Sequence, residues 1–272
     1  MILNVPGFSL DKTLNVGQTF VWHKAGEYWG SFIDRPVLVR QELDGKLEFV
    51  GDLNGSKIRG MLGLRDKIED INSEIDKDNT IDKAIRFSTG VRIVNDGVWP
   101  ATLGFVLSIQ SNVPLILRRI KAMSVFYGEK AEIDGLTLYK FPSYTDIFDK
   151  GEETLKQFKL GFRTRFVFSA AKNFVERDIE NSDMHYVDEE LLHITGIGSK
   201  VLDCIKLYGL HDLSSFPIDV WIKRAILNTY GNMVNDKQNY KKMRDIMVGY
   251  FGRYSGYAQV YLYNYFRLNK LR

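Results

Sequence analysis

The chain has 272 residues, 44% hydrophobic and 26% charged, with a formal net charge of +3. That length suffices for two or three small domains with real cores, and a single cysteine excludes an internal disulfide and a four-cysteine iron–sulfur cluster. No apolar run approaches the ~18 residues of a membrane-spanning helix, and the opening MILNVPGFSLDK lacks the basic and apolar regions of a signal peptide, so an intracellular protein without a membrane partner is expected. Charge is uneven. Residues 1–95 carry 13 basic and 14 acidic side chains, whereas residues 96–272 carry 24 and 20, a bias compatible with nucleic acid but not diagnostic of it.

Residues 8–50 read as strands. Gln18–Trp22, Tyr28–Ile33, Pro36–Arg40 and Lys46–Val50 are rich in β-branched and aromatic residues. Lys24-Ala-Gly, Asp34-Arg-Pro and Asp44-Gly-Lys read as turns between them, and Asp44-Gly45 is a good hairpin signal. Leu53 to about Asn72, broken by Gly55, Gly60 and Gly63, reads neither way. The pattern becomes helical from Asp82 and is mostly helical from Trp99 to the end. The expected class is α+β, with an antiparallel β domain at residues 1–95 followed by a mostly α-helical body at 96–272.

Within that body, Trp99–Asn112 reads as a capped apolar helix ending in the polar cluster Gln110-Ser111-Asn112. Val113-Pro114 starts another helix, with Arg118, Arg119 and Lys121 along it. Arg163 and Arg165 follow in Leu160-Gly-Phe-Arg-Thr-Arg-Phe166, and by themselves read as a solvated basic face. In Leu191–Arg224, Gly196 and Gly198 flank Ile197 and permit a tight turn between two helices. Amides at such a helix start can hold a phosphate. Lys200 follows the turn directly, and Asp219 stands nineteen residues later behind Phe216-Pro217. Read alone, Lys200 is a phosphate contact and Asp219 a helix N-cap. Read together, an amine and a carboxylate beside a DNA-gripping turn suggest chemistry at a sugar carbon. Cys204 lies one turn after Lys200 on the same helical face.

The pieces Gly196-Ile-Gly-Ser-Lys-Val-Leu-Asp-Cys204 and Phe216-Pro-Ile-Asp-Val220 resemble the helix-hairpin-helix DNA glycosylase superfamily, and within it the 8-oxoguanine DNA glycosylase family with lyase activity. The likeness extends to Gly17-Gln-Thr-Phe-Val-Trp22, to Leu160–Phe166, and to Gly252-Arg-Tyr-Ser-Gly-Tyr-Ala-Gln259. It implies a helix-hairpin-helix glycosylase body with its hairpin at 191–203, acting as a monomer on double-stranded DNA that contains 8-oxoguanine. The compartment would be the cytoplasm or nucleoid in a prokaryote and the nucleus in a eukaryote.

The resemblance assigns roles. The Gly17 carbonyl would detect N7, which is an acceptor in guanine and a donor in 8-oxoguanine. Cys204 and Tyr263 would hold the two faces of the flipped base, and Gln259 its Watson–Crick edge. Gln110 matches the position that fills the gap left by the flipped base, and Asn112 lies in the same cluster. Phe162, a tyrosine in the family pattern, would wedge beside the orphaned base while Arg163 hydrogen-bonds it. Gly196 and Gly198 would contact the DNA backbone. Leu115 stands where better-known members carry an arginine that reads the opposite cytosine, which implies less strict opposite-base selectivity. Trp221 stands where several carry a phosphate-contacting histidine, and its uncharged indole implies a weaker or lost phosphate contact.

Lys200 would attack C1′, displace the base and form a Schiff base, with Asp219 stabilising the positive charge that develops on the sugar and relaying protons. No cofactor is required by such a reaction. The resemblance also implies a sodium or potassium ion on the carbonyls of Leu192, Ile194 and Ile197. Two other readings stay open: a glycosylase for alkylated bases, which would not need the lysine, and a non-catalytic DNA-binding hairpin, which would leave the coexistence of Lys200, Asp219, Gly17 and Gln259 unexplained.

Overall fold

The computed structural model describes residues 1–52, 54–181 and 184–269. Near the N-terminus, strands β1 (Ile2–Leu3), β2 (His23–Ala25), β3 (Tyr28–Phe32), β4 (Pro36–Gln41) and β5 (Leu47–Gly51) form an antiparallel sheet in the order β1-β5-β4-β3-β2. The Asp44-Gly45 turn closes the β4–β5 hairpin as expected: Gly45 has φ +85° and its N–H donates to the Glu42 carbonyl at 2.9 Å. Trp29, Val37, Val39, Leu47 and Phe49 join the main core, whereas Phe32 and Leu38 pack on a second, smaller cluster.

That second cluster is closed by a hairpin inside the helical half, β6 (Lys130–Ile133) and β7 (Leu136–Tyr139), whose Leu138 is fully buried. Gly30 on β3 makes room for it, since a Cβ there would lie 2.7 Å from the Leu138 side chain. The pattern from Trp99 onward predicts mostly helix and does not set this hairpin apart. The signal was present in Asp134-Gly135, both at positive φ (+49° and +72°), which is the backbone of a tight two-residue hairpin turn.

Gln18–Trp22 is not a strand, contrary to expectation. Its side chains are buried because the segment is sutured to residues 92–96. The Gln18 amide donates to the carbonyls of Thr13 (2.8 Å) and Arg92 (2.7 Å) and accepts from Val94 N–H (3.3 Å). The Asp96 carboxylate accepts from the Thr19 hydroxyl (2.9 and 2.8 Å) and from Phe20 N–H (3.2 Å). Burial, not sheet pairing, selected the β-branched and aromatic residues there.

Helix α1 (Leu10–Asn15) precedes this segment, and the glycine-broken stretch after β5 resolves into α2 (Gly55–Met61) and α3 (Ile68–Ile75), followed by α4 (Asn79–Phe87); Leu53 lies outside the described residues. Asn54 caps α2 by accepting from Lys57 N–H at 2.8 Å, and Asp78 caps α4 by accepting from Thr80 N–H at 2.8 Å. The helices that follow are α5 (Val98–Ser108), α6 (Val113–Tyr127), α7 (Tyr144–Lys150), α8 (Arg163–Arg177), α9 (Met184–His193), α10 (Ser199–Gly209), α11 (Val220–Thr229), α12 (Tyr240–Phe251) and α13 (Ser255–Leu268).

Helix α5 is the central post: every residue from Val98 to Leu107 is buried, and α8 and α10 pack on it. Each of its large side chains, such as Leu103, Phe105 and Leu107, contributes about 1.5–3 kcal/mol by burial, enough to fix the helix against which the site is built. The expected cap lies elsewhere in the chain. Gly97 offers no side chain, and the Trp99 N–H donates instead to the Glu180 carboxylate at 3.1 Å.

Candidate active site

Between α9 and α10 the chain turns through Ile194–Gly198. Gly196 has φ +98°, and a Cβ there would come within 2.6 Å of the Phe166 ring, so glycine is required twice over. Gly198 differs from expectation. Its φ is −101°, and a Cβ would meet nothing within 4 Å, so its contribution is an open approach and not a left-handed turn. No side chain among the described residues caps α10, which leaves its first amides pointing outward. Of the three hairpin carbonyls named from the resemblance, that of Ile194 accepts from Ile197 N–H at 3.0 Å and keeps a second lone pair. Leu192 is exposed, and Ile194 and Ile197 are buried.

Lys200, the second residue of α10, holds its Nζ 5.5 Å from the centroid of the Phe105 ring, with the Cys204 thiol within its electrostatic reach. Burial pushes that thiol up to about 11, with Lys200 opposing the shift, so Cys204 stays protonated and behaves as a small apolar wall. Asp219 sits at the N-cap of α11, where its Oδ1 accepts from Ile222 N–H at 2.8 Å. The capping role is therefore real, and it also fixes the carboxylate at the edge of the same cavity.

This cavity has a volume of about 890 Å³ and is lined by Gly17, Gln110, Asn112, Lys200, Cys204, Asp219, Gln259 and Tyr263 together. Residues spread over the whole chain thus converge on one space, within the ~300–1,000 Å³ range of ligand sites. Gln259, 5% exposed, leaves its Oε1 without a hydrogen-bond partner among the described residues. A buried amide oxygen in that state costs about 1–3 kcal/mol, which a ligand donor would relieve. Tyr263 packs against the cavity, and burial raises its phenol above the ordinary value.

The polar cluster after α5 is held from beneath. Gln110 adopts φ +50° and is exposed, while Asn112 caps α6 by accepting from Leu115 N–H at 3.1 Å. Arg163, 7% exposed, donates from Nε to the Ile109 carbonyl (2.7 Å), from Nη2 to that of Gln110 (2.7 Å) and from Nη1 to that of Leu160 (3.2 Å). Arg163 is thus turned toward the loop carbonyls, where the resemblance had it reading an orphaned base. Phe162, 43% exposed, projects beside it and stacks on the guanidinium at 4.5 Å. Neither residue lines the cavity, and neither do Gly196, Gly198 and the three hairpin residues; all lie outside it. Trp221 lines it and is 37% exposed, and Leu115 is half-buried on the first turn of α6.

Three contributors to the site were not found by sequence reasoning. Phe105 supplies the ring beside Lys200 and stacks on Tyr208 at 5.4 Å. Arg267 lies over the Tyr263 ring at 5.4 Å and donates to the Val16 carbonyl at 3.2 Å. Its only sequence signal is its position four residues after Tyr263 on one helix. Tyr240 also lines the cavity, from the start of α12. Among the described residues no cluster of histidine, cysteine and carboxylate side chains could hold a metal ion, and no helix is long and apolar enough to cross a membrane.

No family model matches the chain. It is 25% identical to a probable N-glycosylase/DNA lyase of Methanothermobacter thermautotrophicus, over all of this chain and 97% of that one. Among solved structures it is similar to MBOgg1 in complex with a low-affinity DNA ligand (TM-score 0.88, 27% identity, covering 99% of this chain and 96% of that chain). It is also similar to the 8-oxoguanine glycosylase/lyase of Clostridium acetobutylicum in complex with double-stranded DNA containing cytosine opposite 8-oxoG (TM-score 0.87, 26% identity, 100% and 99% covered).

Proposed function

We propose that this chain, a member of the 8-oxoguanine DNA glycosylase/lyase family of the helix-hairpin-helix superfamily, excises 8-oxoguanine from duplex DNA and nicks the strand at the resulting site. The observation that carries the reading is the meeting, in one cavity, of an amine (Lys200), a carboxylate (Asp219) and a buried amide oxygen (Gln259) that has no partner among the described residues.

In this reading the uncapped start of α10 seats a DNA phosphate beside the cavity, and the damaged nucleotide turns into it. The unprotonated Lys200 amine attacks C1′; the C1′–N9 bond breaks, its electrons leave with the base, and the departing purine takes up a proton. Ring opening of the sugar gives a Schiff base between Nζ and C1′. Loss of a C2′ proton then expels the 3′ phosphate by β-elimination, and water releases Lys200. Asp219, held as the N-cap of α11, balances the positive charge on the sugar and on the Schiff-base nitrogen. Gln259 reads the Watson–Crick edge, Cys204 and Tyr263 enclose the base, and Gly17 tests N7. Gln110 and Asn112, at the rim of the cavity, fill the gap that the flipped base leaves in the duplex, and Phe162 wedges beside the orphaned base. Hydrolysis of an alkylated base would need no amine in this position, and a hairpin that only gripped phosphate would need no cavity.

The same reading has the protein act as a monomer without a redox or metal cofactor, in whichever compartment holds the DNA. It also leaves the carbonyls of Leu192, Ile194 and Ile197 as a seat for a sodium or potassium ion beside a DNA phosphate. The test is cleavage of a duplex with a single 8-oxoguanine, with and without hot alkali. Nicking without alkali is the expected result. Nicking only after alkali would leave a glycosylase without lyase activity, and no cleavage under either condition would overturn the function.

A further inference from the structure

One buried acidic group beside the cavity has no part in the chemistry above. Asp203 stands three residues after Lys200 on α10 and is 4% exposed. Its Oδ2 accepts from the Tyr240 hydroxyl at 2.7 Å and its Oδ1 from Nη1 of Arg244 at 3.2 Å. The Tyr240 hydroxyl in turn accepts from the backbone N–H of Ile218 at 3.2 Å. Ile218 directly precedes Asp219 and lies outside any helix. A single phenol oxygen therefore joins the helix that carries the lysine to the chain segment that delivers the aspartate, and it does so at the cavity wall.

Packing alone does not call for this arrangement. A carboxylate buried in α10 is costly to desolvate, and an apolar side chain would fill the same space at less cost. What the carboxylate supplies is direction. It orients the Tyr240 hydroxyl so that a lone pair faces Ile218 N–H, and Arg244 offsets its charge from the far side. The two reacting groups come from separate elements, α10 and the start of α11, so their spacing depends on how those elements are tied together. Misplacing a catalytic group by ~1 Å costs up to about a hundredfold in rate.

We propose that the Asp203–Tyr240 bridge is a positioning device that sets Asp219 against Lys200, making Tyr240 and Asp203 determinants of the rate of Schiff-base formation and not of DNA affinity. This rests on the function proposed above. Two measurements separate the bridge from that function: single-turnover excision of 8-oxoguanine, and borohydride trapping on duplex DNA that already carries an abasic site. Tyr240→Phe keeps the ring and removes the oxygen; it is expected to slow both about tenfold or more while leaving affinity for lesion DNA within about twofold. Asp203→Asn, which keeps an acceptor for the hydroxyl, should retain more rate than Asp203→Ala.

A folded Tyr240→Phe protein that excises and traps at the wild-type rate overturns the proposal, as does a loss of affinity that accounts for the whole loss of rate. Should Tyr240→Phe fail to fold, the two Asp203 variants read the same bridge, and equal rates for them overturn it. A wild-type protein that traps abasic DNA but leaves 8-oxoguanine untouched would remove the substrate and leave the bridge measurable. One that does neither removes both.

Discussion

The guanidinium of Arg267 lies over the ring of Tyr263 at 5.4 Å while its Nη1 donates to the Val16 carbonyl at 3.2 Å. One side chain near the C-terminus thus ties a proposed stacking ring to the turn that carries Gly17, and a Cβ on Gly17 would lie 3.5 Å from that same Nη1. A cation over a ring is worth about 0.5–2 kcal/mol and a hydrogen bond from a charged donor about 1.5–3 kcal/mol. Arg267→Met, which keeps the stem, should therefore weaken binding of lesion-containing duplex by about tenfold or more and leave binding of undamaged duplex nearly unchanged. Fluorescence anisotropy on the two duplexes decides it, and equal losses on both would reassign Arg267 to backbone charge.

The second expectation concerns the nucleophile. Lys200→Gln should abolish borohydride trapping and strand nicking, yet keep affinity for lesion DNA, because the hairpin amides and the base contacts remain. Trapping that persists in this variant would move the Schiff base to another amine and detach Lys200 from the chemistry.

Part of this site was legible before any coordinates. Lys200, Cys204 and Asp219 lie within twenty residues of one another, and Gly196 announces the turn that sets them. The readings that failed did so wherever a partner is distant in sequence. Gln18–Trp22 has the composition of a strand, but its hydrogen bonds go to Arg92, Val94 and Asp96. The start of α5 is capped by Glu180, eighty-one residues away. Arg163 reads as a solvated or base-contacting cation until the carbonyls of Ile109 and Gln110 are seen against it. Composition reports that a residue is buried or polar. It does not report which remote group satisfies it.

Asp96 gives a pH dependence. Its carboxyl is fully enclosed, and burial pushes it from 3.8 up to about 7, against the hydrogen bonds from Thr19 and Phe20. Between those two values the folded protein holds a proton that the unfolded chain has lost, so stability falls as pH rises through that window and levels off above it. Each unit of such a shift is worth about 1.4 kcal/mol, so the effect amounts to a few kcal/mol. Asp96→Asn cannot ionise and keeps an acceptor for Thr19. The wild-type Tm minus that of the variant should therefore drop between about pH 4 and pH 8, as followed by thermal unfolding across that range. Parallel curves would mean that Asp96 titrates alike in both states.

The last expectation tests base recognition, for which the residues come from opposite ends of the chain. Gly17 and Gln259 line one cavity, and the Gln259 Oε1 has no hydrogen-bond partner among the described residues. Guanine and 8-oxoguanine share the Watson–Crick edge, so Gln259 cannot tell them apart. They differ at N7, which accepts in guanine and donates in the lesion, and a carbonyl near that position favours the lesion alone. The carbonyl itself cannot be mutated, but the substrate can be altered. An 8-oxoguanine analogue with carbon in place of N7 keeps the shape and the edge and removes the donor. A buried acceptor left unmatched costs about 1–3 kcal/mol, so single-turnover excision of the analogue should fall by roughly tenfold or more. Gln259→Ala should instead slow excision of every purine lesion, the analogue included, by a common factor. If the analogue is cut as fast as 8-oxoguanine, Gly17 serves only to turn the chain ahead of Gln18, and selection against guanine must come from the 8-oxo group or from the flipping step.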